Sequence, residues 1–285
     1  MADVVAGKPR HKAAYALPTL FTAGNIFLGY LSIVRTIQAV AIYSSDQAAA
    51  TAHLEVAAKT IGFGFILDGL DGRIARMTNT TSEFGKELDS LADIISFGIA
   101  PAILAYVWGV QFVGGSLGAV PLDQLQRAGK FVSFLFLVCG AARLARFNIQ
   151  KPSTQQNPGA ADKKYFVGLP IPAAAGVVAS VVYAAGSTPL TSTMWSAAWL
   201  GLLASLAFLM VSTLRYWSFK ELNMMKSRSP FMMIGMCVVI YAIWNWSQKL
   251  LLVMSVTYML SGVTMRVFGL VRRVLRPSKA EIQVG

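Results

Sequence analysis

Apolar runs of about 20 residues recur along the whole sequence, and a run of that length is what crosses the hydrocarbon of a bilayer as a helix. Eight can be marked, with soft edges, at 17–42, 54–76, 88–112, 129–147, 165–187, 192–214, 229–246 and 249–270. Inside hydrocarbon every backbone N–H and C=O must find its partner within the chain, so each run is expected to be helical. The expectation is an all-α polytopic membrane protein with about eight transmembrane helices. Composition agrees: 13% of the residues are charged, against about 25% in soluble globular domains. Cys139 and Cys237 each sit within an apolar run and read as small buried hydrophobes, not as a disulfide or a metal pair.

The formal net charge of +12 lies between the apolar runs. That placement suits lipid headgroups and topology signals, and argues against nucleic acid as a partner. Lys8, Arg10 and Lys12 precede the first run, and Arg73, Arg76 and Lys86 follow the second. Arg143, Arg146, Lys151, Lys163 and Lys164 follow the fourth, and Arg215, Lys220, Lys226 and Arg228 follow the sixth. Arg266, Arg272, Arg273, Arg276 and Lys279 close the chain. The alternate loops are poor in cations: "SSDQAAATAH" and "GSTPL" hold no Lys or Arg, and the loop near 112–128 holds only Arg127, with Lys130 close by. Cation-rich loops stay in the cytoplasm, which puts both termini there. The first run is too long for the apolar part of a cleaved signal, and more spans follow it. The chain divides into a basic N-terminal segment (1–16), a six-span core (17–214), two further spans (215–270) and a basic tail (271–285).

Four of the eight aspartates fall between residues 68 and 93. On a helix, Asp68 and Asp71 lie about 60° apart on one face, and Asp89 and Asp93 again share a face. The first pair ends one span and the second begins the next, so all four should converge at the cytoplasmic interface. A carboxylate within a span costs on the order of 2.5–3.5 kcal/mol, and four repel one another. A divalent cation offsets this. All-oxygen ligation suits Mg2+, Mn2+ or Ca2+, and four carboxylates suffice for two ions. The bland alternative is pairing with Arg73, Arg76 and Lys86 in a solvated loop. Gly69 and Gly72 flank Asp71; they either let a bulky ligand approach or let helices pack closely.

The residues spell Asp68-x2-Asp71-Gly72-x2-Ala75-Arg76-x8-Gly85-x3-Asp89-x3-Asp93. This pattern resembles the signature of the CDP-alcohol phosphatidyltransferase family at every fixed position. The resemblance implies a membrane enzyme, usually a homodimer, that moves a phosphatidyl group from a CDP-activated lipid to an alcohol and releases CMP. It implies Asp68, Asp71 and Asp89 as metal ligands, with Asp93 both serving the second ion and acting as general base. It implies Gly72, Arg76, Gly85 and Ser82 as contacts of the CDP-lipid.

The motif leaves the acceptor open. "ARLARFN", residues 142–148, ends the fourth run and places Arg143 and Arg146 three apart on one face. Guanidinium groups suit a carboxylate or a phosphate, though anchoring at the cytoplasmic face would use them equally. In "FVGLPIPAAAG", residues 166–176, Pro170 and Pro172 make the start of the fifth helix irregular. With "LDGLDGRIARMTNTTSEFGKELDSLADIISFGIAPA", these segments resemble the bacterial membrane-integral phosphatidylserine synthases. The resemblance implies CDP-diacylglycerol and L-serine as substrates, in the bacterial inner membrane, with the active site on the cytoplasmic side. Arg143 and Arg146 are the candidates for the serine carboxylate and Asn148 for its ammonium group. Glycerol 3-phosphate, inositol phosphate and choline are the other acceptors of this chemistry. A divalent-cation transporter is the remote reading, but it would spread acids through mid-membrane over several spans. Asn25, in "LFTAGN", faces either the nucleotide or a neighbouring helix.

Overall fold

The computed structural model describes residues 13–77, 83–114, 121–149, 165–217 and 245–266. Helix α1 spans Ala13–Ile42 and α2 spans Gln47–Met77. A third helix, α3, runs Glu83–Gln111, and α4 runs Leu122–Ile149. Next come strand β1 (Tyr165–Val167), helix α5 (Ile171–Ala184), helix α6 (Thr193–Val211) and strand β2 (Arg215–Trp217). Helix α7 covers 245–266. Among the described residues four helices are long and apolar enough to cross a membrane: α1 from Thr19, α3, α4 and α6. The run at 229–246 lies almost wholly outside the described residues.

Helix α1 packs along α2 through a stripe of small and polar residues. Thr22, Asn25, Gly29, Ser32 and Thr36 recur at intervals of three and four and are all buried. Small side chains let helix backbones approach where the hydrophobic effect cannot drive association. Ser32 Oγ donates to the Ala57 carbonyl at 3.0 Å, and Ser96 Oγ donates to the Asn25 carbonyl at 2.8 Å. At Gly29 a Cβ would fall 2.8 Å from the Ser96 Cα, so only glycine permits this α1–α3 crossing.

Within α3, two stretches are π-helical, Ile94–Ile99 and Val107–Gln111. Pro101 accounts for the first. It has no N–H to give, and its ring crowds the carbonyl four residues back. The chain widens by one residue just before it, with the Ala100 N–H bonding the Ile95 carbonyl. The second stretch ends against α6, where Trp199 Nε1 donates to the Ala105 carbonyl at 2.9 Å and its ring meets Trp108 edge-on at 5.0 Å.

Several boundaries differ from those expected. Helix α2 begins at Gln47, inside "SSDQAAATAH", because Asp46 Oδ1 accepts the Ala49 N–H at 2.9 Å and caps it. Helix α4 begins at Leu122, well before the anticipated 129. The fifth apolar run, expected as a span over 165–187, yields a helix of 14 residues. At about 1.5 Å per residue this falls short of a hydrocarbon core about 30 Å thick. Its opening residues instead pair antiparallel with β2, Phe166 opposite Tyr216, so the fold is helical except for this one ribbon among the described residues. Gly168 turns the chain out of the ribbon at φ +80°, where a Cβ would strike the Met210 carbonyl oxygen. Pro170 then caps α5, the irregular start that its sequence predicts.

Gly29→Ala is expected to lower stability by about 1–3 kcal/mol through overpacking against the Ser96 backbone. Gly62→Ala, whose Cβ meets nothing within 4 Å, should leave stability unchanged or raised. Thermal unfolding in detergent compares the two.

Candidate functional site

The C-terminal third of α2 and the first turns of α3 meet beside α1, and the four aspartates lie at that junction. One carboxylate oxygen from each of Asp68, Asp71 and Asp89 can be chosen so that all three lie within 4.8 Å of one another. Asp93, one turn beyond Asp89, is within hydrogen-bonding reach of Asp68 and interacts electrostatically with Asp71 and Asp89. Asp71 is only 5% exposed and accepts a hydrogen bond from Thr22 Oγ1 at 3.2 Å. The helical spacing read from the sequence thus brings both pairs together.

These groups fit a hard divalent cation. The donors are all carboxylate oxygens. Two oxygens that ligate one ion at about 2.0–2.6 Å can be no more than about 5 Å apart, which matches the observed grouping. Asp68, Asp71 and Asp93 form no ion pair with Lys or Arg among the described residues. Of the cations in the solvated-loop alternative, Lys86 pairs with Glu83 and Arg73 pairs with none of these three, while the Arg76 side chain lies outside the described residues. Asp93 Oδ1 is buried and accepts no hydrogen bond among the described residues.

Beside the acids the surface is open. A Cβ built on Gly69 or on Gly72 meets nothing within 4 Å. Of the two uses weighed for these glycines, room for a ligand agrees with the structure and close helix packing does not. Gly85 lies in the first turn of α3. The Arg76 backbone belongs to the last turn of α2, while its side chain and the whole of Ser82 lie outside the described residues.

The end of α4 closes another side. Asn148 Nδ2 donates to Ser90 Oγ at 2.8 Å, so Asn148 touches the same turn of α3 that carries Asp89 and Asp93. Arg143 is half-buried, lies 5.9 Å over the Phe147 ring and feels the charge of Asp93. Its Nε is buried without a hydrogen-bond partner among the described residues. Arg146 lies one turn along, half-buried. Asn25 is fully buried one turn deeper than Thr22, against Gly64. Sequence reasoning passed over Thr22 and Ser90. Thr22 stands three residues before Asn25 in an apolar run, and the same search for polar residues within spans would have found it.

A family model for CDP-alcohol phosphatidyltransferase matches residues 15–210. The CDP-diacylglycerol–serine O-phosphatidyltransferase of Helicobacter pylori strain J99 is 41% identical over 209 residues, 73% of this chain and 75% of its own. The Bacillus subtilis protein of the same name is 29% identical over 207 residues, 72% of this chain and 92% of its own. The archaetidylserine synthase of Methanothermobacter thermautotrophicus is 33% identical over 203 residues, 70% of this chain and 69% of its own.

Thr22 orients Asp71 from outside the carboxylate group, and loss of such a partner commonly weakens metal affinity about 10–100-fold. Thr22→Val should therefore weaken Mn2+ binding at least about tenfold on that scale, as read by titration with spin-resonance detection of free Mn2+. Asp71→Asn should weaken it further.

Proposed function

The chain belongs to the CDP-alcohol phosphatidyltransferase family, and from that membership we propose that it transfers the phosphatidyl group of CDP-diacylglycerol to the hydroxyl of L-serine, giving phosphatidylserine and CMP. The observation that carries this reading is the convergence of Asp68, Asp71, Asp89 and Asp93 beside an open, glycine-lined surface. The names borne by the relatives support serine as the acceptor.

Asp68, Asp71 and Asp89 would hold one divalent cation, Mg2+, Mn2+ or Ca2+, and Asp93 would help to hold a second. When bound, such ions neutralise a diphosphate and make the phosphorus under attack more electrophilic. Gly72 leaves room for the nucleotide, and Gly85, Arg76 and Ser82 are its further proposed contacts. The serine hydroxyl has a pKa far above neutrality, so its proton must leave as the oxygen attacks. Asp93 takes that proton on the oxygen that accepts no hydrogen bond among the described residues. The new bond joins the serine oxygen to the phosphatidyl phosphorus. The bond from that phosphorus to the oxygen shared with CMP breaks, and CMP departs with the electron pair.

Arg143 and Arg146 would receive the serine carboxylate, since a guanidinium presents paired donors that match two carboxylate oxygens. Asn148 spends its amide nitrogen on Ser90; its carbonyl oxygen is of the type that accepts from an ammonium group. The charge pattern supports cytoplasmic termini and eight apolar segments, of which the fifth is a helix too short to cross alone; the family resemblance supports a catalytic core over 17–214 and a cytoplasmic site in the inner membrane of a bacterium. Family membership supports a homodimer.

With purified protein, labelled serine and CDP-diacylglycerol, CMP release should require serine and cease with chelator. Asp93→Asn should lower turnover by about a hundredfold or more, the scale of a lost general base, while the CDP-lipid still binds. Near-normal turnover of that variant would overturn the assignment of the base.

A further inference from the structure

The family signature fixes Asp89 and Asp93 and leaves the residues between them free; of these, Ser90, Leu91 and Ala92, only Ser90 is polar. We propose that Ser90 is a positioning residue that sets the choice of acceptor: its hydroxyl holds the Asn148 carboxamide with the nitrogen toward α3, and so leaves the carbonyl oxygen to receive the ammonium group of the acceptor. This inference rests on the serine reading above and deepens it, by assigning the group that orients a proposed acceptor contact.

Three observations carry it. First, Ser90 faces α4. Ala92 is fully buried and Leu91 is 57% exposed, whereas the Ser90 hydroxyl meets Asn148 Nδ2 at 2.8 Å. The two residues are 58 apart in the chain and belong to different helices. Asn148 stands in the last turn of α4, and asparagine side chains commonly turn back on their own backbone. Here the side chain crosses instead to the part of α3 that bears Asp89 and Asp93.

Second, the direction of this bond is set. A serine hydroxyl has one proton to give. Ser90 gives it to the Lys86 carbonyl, one turn back, at 3.0 Å. Toward α4 its oxygen can then only accept, so the donor end of the Asn148 amide must face it. The reversed amide would bring two acceptors together with no proton between them and lose the bond. Nitrogen and oxygen share one planar carbon, so holding the first orients the second.

Third, the remaining end suits an amino alcohol. An amide oxygen accepts from an ammonium N–H. It carries no net charge, so unlike a fifth carboxylate it adds no like charge to Asp68, Asp71, Asp89 and Asp93. An ionised phosphate brings acceptors alone, and this oxygen would oppose it. The arrangement therefore works against a phosphorylated alcohol as well as for serine.

The test uses the full chain in detergent, with initial rates measured against serine and, separately, against CDP-diacylglycerol. Ser90→Ala should raise the KM for serine about three- to tenfold, the scale of one neutral hydrogen bond, and leave the KM for CDP-diacylglycerol and the affinity for Mn2+ within about twofold. Ser90→Thr keeps the hydroxyl and should restore the serine KM. Asn148→Ala raises the serine KM by itself, and adding Ser90→Ala to it should raise that value no further, because the group that Ser90 orients is gone. The inhibitor 3-hydroxypropionate keeps the hydroxyl and carboxylate of serine and lacks the ammonium group, so it should inhibit wild type and Ser90→Ala equally. Equilibrium dialysis of labelled serine with CMP present should repeat the ranking of the variants without turnover.

A serine KM unchanged in Ser90→Ala would overturn the inference. So would an additive rise in the Asn148→Ala background, or matched losses for serine, CDP-diacylglycerol and Mn2+, the marks of a merely structural role. If the wild type released CMP with another alcohol and not with serine, the acceptor reading would fail instead. For an alcohol that bears N–H groups, the same pair of variants would then decide the role of Ser90: a KM rise that requires Asn148 upholds it, and an additive or absent one overturns it. An acceptor with no N–H to give would overturn it outright.

Discussion

Like charges crowded together at the end of a membrane helix set the terms for this molecule. Two carboxylates about 4 Å apart repel by about 4 kcal/mol at the effective dielectric of a protein surface. The cluster therefore persists only if the helices carrying it cannot splay. The buried stripe on α1 supplies that restraint, with Thr22 tied to Asp71, Ser96 tied to the Asn25 backbone and Gly29 seated on Ser96. Much of the polar chemistry within this apolar fold serves to hold α1, α2 and α3 in one arrangement.

Restraint continues on the far side of the acids. Asn148 fastens α4 to α3 at Ser90, between two of the aspartates. The π-helical stretch starts at Ile94, directly after Asp93. Both Asp89 and Asp93 thus lie on regular α-helix, and the widening that passes Pro101 comes after them. The ribbon and α7 extend the same scaffold, so residues far apart in the chain surround one small volume.

The acid pairs were legible because a helix repeats every 3.6 residues and a carboxylate in an apolar run is conspicuous. Pro170 and Pro172 announced an irregular helix start for an equally local reason. Other features depend on what lies across the molecule. The fifth run looks long enough to span, yet Gly168 and the pairing of Phe166 with Tyr216 turn its first residues into a strand. The π-turns reflect register against α6 as well as a proline, and apolar patterning carries no mark of that. Capping by Asp46 was readable in principle, but the low charge of its segment suggested a loop. No periodicity links Tyr216 to Tyr258, because their ring contact arises only when α7 folds back.

The face of α2 beside the acids has a further consequence. Phe65, Ile66 and Leu70 are 53%, 54% and 42% exposed, and with Gly62 and Gly69 they form an oily track that climbs to the aspartates. A molecule with two fatty tails can glide along such a track sideways from the surrounding lipid. Its tails stay in hydrocarbon throughout and only its polar end leaves the leaflet, so the toll of pulling a whole lipid into water, about 0.8 kcal/mol for each methylene, never arises.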